Sequence, residues 1–215
     1  MSRRKEQTMK EKLALYFIMG SQNCPHKNPE EILEQALKAG ITMFQFREKG
    51  EAALISQEKR QLAERLQERC RAYSVPFIVN DDVDLAIAIG ADGVHIGQDD
   101  EAMQQVKKRC PVHFIIGVSA TNAAEANKAI KEGADYVGVG PIAATRTKMD
   151  ARCPIGLTGL QRIRKQLGNS PIVAIGGINH KNARAVREAG ADGISFISVL
   201  TKAADIQGAV NLLKL

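Results

Sequence analysis

Tryptophan is absent from the chain, and aromatic residues fill only 4% of its 215 positions. Nothing in it forms an evident stacking platform for bases, so the formal charge of +6 needs another account. Half of that excess sits in residues 1–12, where five cations face two carboxylates for a net +3. A basic arm without aromatics argues against a nucleic-acid partner. Long apolar runs are missing too. None comes near the ~18 residues of a membrane helix, and the charged opening MSRRKEQTMKEK lacks the apolar core of a signal peptide. No membrane partner and a cytoplasmic location are therefore expected. Cys24, Cys70, Cys110 and Cys153 lie far apart, with no CxxC pair and no Cys/His pair at zinc spacing. Free thiols in a reducing compartment follow. The rest of the composition, 44% hydrophobic and 25% charged, is ordinary for a globular protein with one sizeable core.

What the chain does have is a recurring phrase. AGITMFQF (39–46), IGADGVHIG (89–97), EGADYVGVG (132–140) and AGADGISFI (189–197) each set a Gly between a helical pattern and a short apolar strand. Gly suits the left-handed turn that ends a helix. The strand after it is apolar enough to be buried on both faces, as parallel strands are. LYFIMGS (15–21), PFIVND (76–81), FIIGVS (114–119) and PIVAIGG (171–177) supply further strands. Helical patterns such as PEEILEQALKAG, SQEKRQLAERLQERCRAY and AAEANKAIKEG lie between most of them. Strand and helix alternating through a whole chain predict parallel βαβ units. Closing on themselves, such units make an α/β fold of the (β/α)8 TIM-barrel type. No Pro/Gly-rich linker divides the chain, so residues 1–215 read as one domain, with 1–13 a basic N-terminal arm or helix over the barrel's lower end. The rival, an open doubly wound sheet, would use fewer strands and want a GxGxxG turn where GSQNCPHKN stands.

The polar residues collect at one end of these strands. In MFQFREK (43–49), alternation turns Phe44, Phe46 and Glu48 one way and Met43, Gln45, Arg47 and Lys49 the other. The third strand ends in Asn80, Asp81 and Asp82, the fourth runs into Gln98, Asp99 and Asp100, and the fifth ends in Ser119. GPIAATRTK, after the sixth, carries Thr145, Arg146, Thr147 and Lys148. The seventh ends in Gly176 and Gly177, the eighth in Ile197 and Ser198. The opposite ends read VP, GADG, HF, GADY and SP, which is turn chemistry. Because barrels of this type carry their active sites at the C-terminal strand ends, the asymmetry predicts an enzyme.

Arg47 and Lys49 on one face suit an anion with several oxygens. Asp81 and Asp100 could share a magnesium ion, which takes one or two carboxylates and completes its shell with water and substrate phosphate. Cations beside such a site suggest a diphosphate. Gly176 and Gly177, with the turn after the eighth strand, suit a second ligand bearing a monophosphate. Taken singly, each signal has a plainer reading. The Arg/Lys pair can be a solvated rim, NDD a helix cap through Asp82 or Asp84, QDD a cap for EAMQQVKK, and GG a turn. His95 reads as a packed core residue rather than a base. Their shared position at one end of one barrel carries the functional reading.

On QFREK, PFIVNDD, GADGVHIGQDD, GVSA, GADYVGVGPI followed by TRTK, IGGI and GADGISFIS, the chain resembles the thiamine-phosphate synthases from about Leu15 to Thr201. The resemblance implies a magnesium-dependent transferase. It would join 4-amino-2-methyl-5-hydroxymethylpyrimidine diphosphate to a thiazole phosphate, or its carboxylated form, releasing pyrophosphate. It further implies that Gln45, Arg47, Lys49, Asn80 and Ser119 hold the pyrimidine diphosphate and that Asp81 and Asp100 bind Mg²⁺. Lys148 would contact the diphosphate. Thr145 and Thr147 would lie over the thiazole phosphate, cradled by Gly177, Ile197 and Ser198. Arg47, Lys49, Ser119 and Lys148 are the residues expected to serve the chemistry. Ala143 and Ala144 depart from the pattern, where a bulkier aromatic or Pro is expected, which bears on the shape of the 143–149 loop. Two alternatives stand beside this. A thiazole tautomerase needs no magnesium and carries a His shortly after the fifth-strand Ser, where this chain has Thr121 and Asn122. A non-catalytic binder of thiamine precursors would be expected to lose the carboxylates or the cations, and both are kept. Small-molecule substrates are the expected partners; the sequence leaves the oligomeric state open, a homo-oligomer included.

Overall fold

In the computed structural model, which describes residues 3–98, 100–145 and 152–214, the strands pair in chain order and the eighth returns to the first. They are β1 (Leu15–Met19), β2 (Met43–Phe46), β3 (Phe77–Asn80), β4 (Gly93–Ile96), β5 (Ile115–Ala120), β6 (Tyr136–Val139), β7 (Ile172–Ala174) and β8 (Gly193–Phe196). Every pair is parallel, and the sheet is a closed barrel. The helices around it are α1 (Arg3–Leu13), α2 (Pro29–Ala39), α3 (Ser56–Ala72), α4 (Val83–Ala88), α5 (Met103–Arg109), α6 (Ala123–Glu132), α7 (Gly156–Leu167), α8 (Ala183–Glu188), α9 (Ser198–Thr201) and α10 (Ile206–Lys214). The (β/α)8 expectation is met. Among the described residues no helix is long and apolar enough to cross a membrane.

The helix boundaries follow from local chemistry. Asn28 caps α2 by accepting from the Glu30 amide at 2.9 Å, with Pro29 at the first helical position. Asn122 caps α6 through the Glu125 amide, and Asp82 caps α4 through the Leu85 amide at 2.9 Å. The plainer reading of QDD, a cap for the helix that follows, is not met by Asp100. The residue before α5 is Ala102, which has no side-chain cap.

The recurring phrase has a structural meaning that its letters did not reveal. Its four copies precede β2, β4, β6 and β8. Gly40, Gly90, Gly133 and Gly190 all take positive φ, from 60° to 111°, as the left-handed helix end requires. Two residues later, Thr42, Asp92, Asp135 and Asp192 each make a reciprocal pair with the start of the strand before. The Asp92 carboxylate accepts from the Phe77 amide at 2.8 Å, and its own amide donates to the Phe77 carbonyl at 3.0 Å. Asp135 repeats this with Ile116, Asp192 with Ile172, and Thr42 with Leu15. An edge amide that the ladder cannot reach is satisfied each time by a side chain. The repeat locks neighbouring strands together two by two, β1 to β2, β3 to β4, β5 to β6 and β7 to β8, at the lower end of the barrel.

Alternation along the strands divides the core in two. Phe17, Phe44, Phe46 and Phe77 face outward and pack beneath the helices in the larger cluster. Tyr16, Met43, Ile78, Ile115, Tyr136 and Val173 face inward, joined from below by Met9 and Leu13 of α1. The N-terminal helix therefore closes the bottom of the barrel. Leu13 is fully buried there, worth about 1.5–3 kcal/mol in burial alone. With the lower end plugged among the described residues, the interior opens at the C-terminal strand ends.

Candidate active site

A cleft of about 270 Å³ occupies that open end. β2 sends Gln45 into it, and the chain just beyond adds Arg47 and Lys49. Phe44 and Phe46 pack outward as the alternation required. Glu48, on the outward face, is only 8% exposed. Its carboxylate accepts from the Ser21 amide at 2.8 Å, the Ser21 hydroxyl at 2.5 Å and the Leu54 amide at 2.9 Å. It ties the loops after β1 and β2 to each other and so fixes the backbone that carries Arg47 and Lys49. The sequence reading gave it only a face, because its partners are two loops distant in sequence.

β3 contributes Asn80 and Asp81 to the cleft. Asp81 takes a φ of 62°, a left-handed conformation that Asp tolerates better than most residues. Its amide donates to the His95 carbonyl at 2.8 Å. The turn separates the two aspartates: Asp81 aims at Lys49 Nζ, 2.7 Å from its Oδ2, while Asp82 caps α4 and pairs with Lys59. Asp100 enters from the loop after β4, its Oδ2 accepting from the Gly97 amide at 2.6 Å. Burial, and then the Asp81 carboxyl beside it, hold the Asp100 carboxyl above its usual range. Two carboxyl groups held together at a cleft mouth repel, and a bound cation relieves that repulsion. Among the described residues no cluster of three or more His, Cys, Asp or Glu is arranged to hold a metal. A pair of carboxylates leaving most positions to water and phosphate is the donor set that magnesium favours.

Across the cleft, Ser119 of β5, Thr145, Gly177, Ile197 and Ser198 join the lining. Gly177 has a φ of 67°, and a Cβ there would stand 2.8 Å from the Ala143 Cβ and carbonyl. That close approach is where the small Ala143 departs from the expected bulky residue: the chain at 143 is tied by its amide to the Gly176 carbonyl at 3.0 Å. Thr147 and Lys148, with Arg146, lie outside the described residues. Every other candidate site residue from the sequence meets in this one cleft.

Arg152 and His95 are among the further side chains that line it and that sequence reasoning did not assign. Arg152 approaches from the segment before α7, paired with Glu125 at 3.0 Å. No local motif marks it. His95 is 6% exposed, a core residue as expected, yet it reaches the cleft floor and lies 2.9 Å from Ser119 Oγ. The signal available was its inward register on β4, opposite Gly117.

The comparisons with known proteins agree on one family. A family model described as thiamine monophosphate synthase matches residues 15–200. A thiamine-phosphate synthase of Geobacillus thermodenitrificans is 56% identical over 209 residues, 97% of this chain and 94% of that relative. Another, of Lysinibacillus sphaericus, is 53% identical over 205 residues, covering 95% and 96%. Among solved structures, a thiamine phosphate pyrophosphorylase from Pyrococcus furiosus matches with a TM-score of 0.85 at 38% identity, covering 96% of each chain. A 3-hexulose-6-phosphate synthase, with a TM-score of 0.65 and 15% identity over 93% of this chain and 98% of its own, shares the fold.

Proposed function

The chain belongs to the thiamine monophosphate synthase family, and we propose on that premise how its cleft carries out the coupling. The substrates are 4-amino-2-methyl-5-hydroxymethylpyrimidine diphosphate and a thiazole phosphate. The bond from the pyrimidine methylene carbon to the diphosphate oxygen breaks, and its electron pair leaves with pyrophosphate. The electron-rich ring supports the carbocation. The thiazole nitrogen then donates its lone pair to that carbon, giving thiamine monophosphate.

The protein's part is positioning and charge stabilisation. Arg47 and Lys49 hold the diphosphate and follow its charge as it leaves, with Asn80 and Ser119 donating hydrogen bonds beside them. Gln45 holds the pyrimidine. Thr145, Gly177, Ile197 and Ser198 receive the thiazole phosphate. Thr147 and Lys148 are assigned to the same loop by the motif TRTK. Magnesium fits the facing carboxylates of Asp81 and Asp100 and, when bound, supplies neutralising charge to the leaving diphosphate.

The observation that carries this reading is the convergence of two cations and two carboxylates, from β2, β3 and the loop after β4, at the mouth of one plugged barrel. The test is a coupling assay. Purified protein is mixed with both substrates, with and without Mg²⁺, and thiamine phosphate and pyrophosphate are quantified. Magnesium-dependent formation of both in equal amounts is expected. Folded protein that leaves both substrates intact would overturn the reading.

A further inference from the structure

Beneath the cleft, five side chains from five strands form one unbroken hydrogen-bonded chain. Gln45 Nε2 lies 2.9 Å from the Tyr16 hydroxyl. The Tyr16 and Tyr136 hydroxyls are 2.8 Å apart. The Tyr136 hydroxyl lies 3.0 Å from His95 Nδ1, and His95 Nε2 lies 2.9 Å from Ser119 Oγ. Its two ends, Gln45 and Ser119, face the cleft, while Tyr16 and Tyr136 are buried beneath it. Two glycines make room for the chain. A Cβ at Gly117 would stand 2.1 Å from the Tyr136 ring, and one at Gly138 would stand 2.9 Å from His95 Cε1. Burial keeps both phenols protonated, since it raises their pKa above the ordinary value.

The hydrogens in this chain can be counted. Its four bonds need four hydrogens. The two phenols and a neutral imidazole bring one each. The fourth must come from one end, from the Gln45 amide or from the Ser119 hydroxyl. If Gln45 gives it, every bond runs from Gln45 toward Ser119, His95 carries its proton on Nε2, and the Ser119 hydrogen is left to donate into the cleft. The Gln45 carbonyl oxygen is then left to accept there. If Ser119 gives it, the whole sequence reverses: Gln45 presents a donor to the cleft and Ser119 an acceptor. The two ends cannot be set independently without leaving a buried polar group unsatisfied.

We infer that His95, Tyr136 and Tyr16 are positioning residues that couple the amide orientation of Gln45 to the hydroxyl orientation of Ser119, and so select a ligand with a donor at one end and an anionic acceptor at the other. Resting on the reading above, the ligand is the aminopyrimidine diphosphate. Its exocyclic amine donates to the Gln45 carbonyl, and a diphosphate oxygen accepts from Ser119. The coupling makes the 4-amino ring a better substrate than a 4-oxo ring, because an acceptor at that position demands the reverse polarity and turns Ser119 lone pairs toward the anion.

The test compares the 4-amino pyrimidine diphosphate with its 4-oxo analogue in the wild type and in Tyr136→Phe, which cuts the chain by one oxygen. Turnover of the amino compound by the wild type checks the functional reading separately. The wild type should favour the amino compound in kcat/KM by on the order of 10²-fold or more. Tyr136→Phe should narrow that preference by about tenfold, because Gln45 can then turn without Ser119. An unchanged preference in a folded, active Tyr136→Phe protein would overturn the inference. A second measurement needs no variant beyond one for assignment. ¹⁵N NMR of the wild type with bound pyrimidine diphosphate, without thiazole, should show His95 neutral and protonated on Nε2, assigned by its loss in His95→Gln. Protonation on Nδ1, or a charged imidazolium, would overturn it equally.

Discussion

Lys49 Nζ stands 2.7 Å from Asp81 Oδ2, so the cation proposed to hold the diphosphate and a carboxylate proposed to hold magnesium neutralise one another across the cleft mouth. Both stay accessible, Lys49 being 47% exposed along its side chain and Asp81 23%. On the proposed roles, the pair separates when diphosphate and magnesium arrive together, and each partner meets its own ligand. Lys49→Met should therefore lower kcat about 10²–10³-fold, as loss of a charge-stabilising donor does, and weaken binding of the pyrimidine diphosphate. Steady-state kinetics over both substrates, with circular dichroism to check folding, decides this.

Replacing Asp81 separates metal binding from backbone strain. Asn tolerates a φ of 62° about as well as Asp does, whereas Ala does not. Asp81→Asn should lose about a hundredfold or more in activity and need far more magnesium, with near-native stability. Asp81→Ala should lose both activity and some stability. Magnesium titration of turnover beside thermal melting separates the two, and full activity of Asp81→Asn at limiting magnesium would remove Asp81 from the metal site.

Asp100 sets a pH dependence with a definite sign. Burial first, and the Asp81 carboxyl second, raise its pKa in the folded protein. A carboxyl raised in the folded state binds its proton more tightly there than in the unfolded chain. Its contribution to stability is full below the unfolded value of about 3.9 and is lost as pH rises through the raised folded value. In chelator, the melting temperature should fall across that window, and the fall should shrink when Mg²⁺ is added. Asp100→Asn should flatten the profile and melt higher than the wild type above the window, at the cost of activity. A chelated wild type with no slope in that window would contradict this.

Glu48 needs both of its oxygens. One accepts from the Ser21 amide, the other from the Ser21 hydroxyl and the Leu54 amide. In Glu48→Gln an NH₂ must face one of these amides, so the change should cost about 1–3 kcal/mol of stability. Activity should fall as well, since Arg47 and Lys49 flank the residue. Denaturant unfolding gives the first number and the coupling assay the second.

Asp135 offers the opposite pattern. It is 9% exposed at the lower end of the barrel and satisfies the Ile116 amide. Asp135→Ala should destabilise by about 1–3 kcal/mol, while kcat of the folded fraction stays close to that of the wild type. A large kcat loss would mean that the lower ring of strand pairs reaches the active site.

The barrel was legible in the letters because its signals are local. Gly40, Gly90, Gly133 and Gly190 end helices by backbone geometry that needs no distant partner, and alternation in MFQFREK alone sends Phe44 and Phe46 outward and Gln45 inward. Strand ends follow from strand positions, so residues such as Arg47, Asn80 and Ser119 could be gathered at one rim before any coordinates. α7 was harder to foresee, since Gly156, Thr158 and Gly159 weaken the helical pattern of its first turn.

The other relationships belong to the closed barrel. Asp81 and Asp82 are adjacent and chemically alike, yet a positive φ turns one to the cleft and leaves the other capping a helix. Asp92, Asp135 and Asp192 look like turn residues until the amide each one satisfies is found on the preceding strand. His95 looks like core and is core, but β5 and β6 bring Ser119 and Tyr136 to its two nitrogens. Hydrophobic periodicity and helix caps act over a few residues, so a chain carries them in its order. A hydrogen bond between side chains more than twenty residues apart exists only after the sheet has closed, and it is closure that turned a row of polar strand ends into one site with a wired floor.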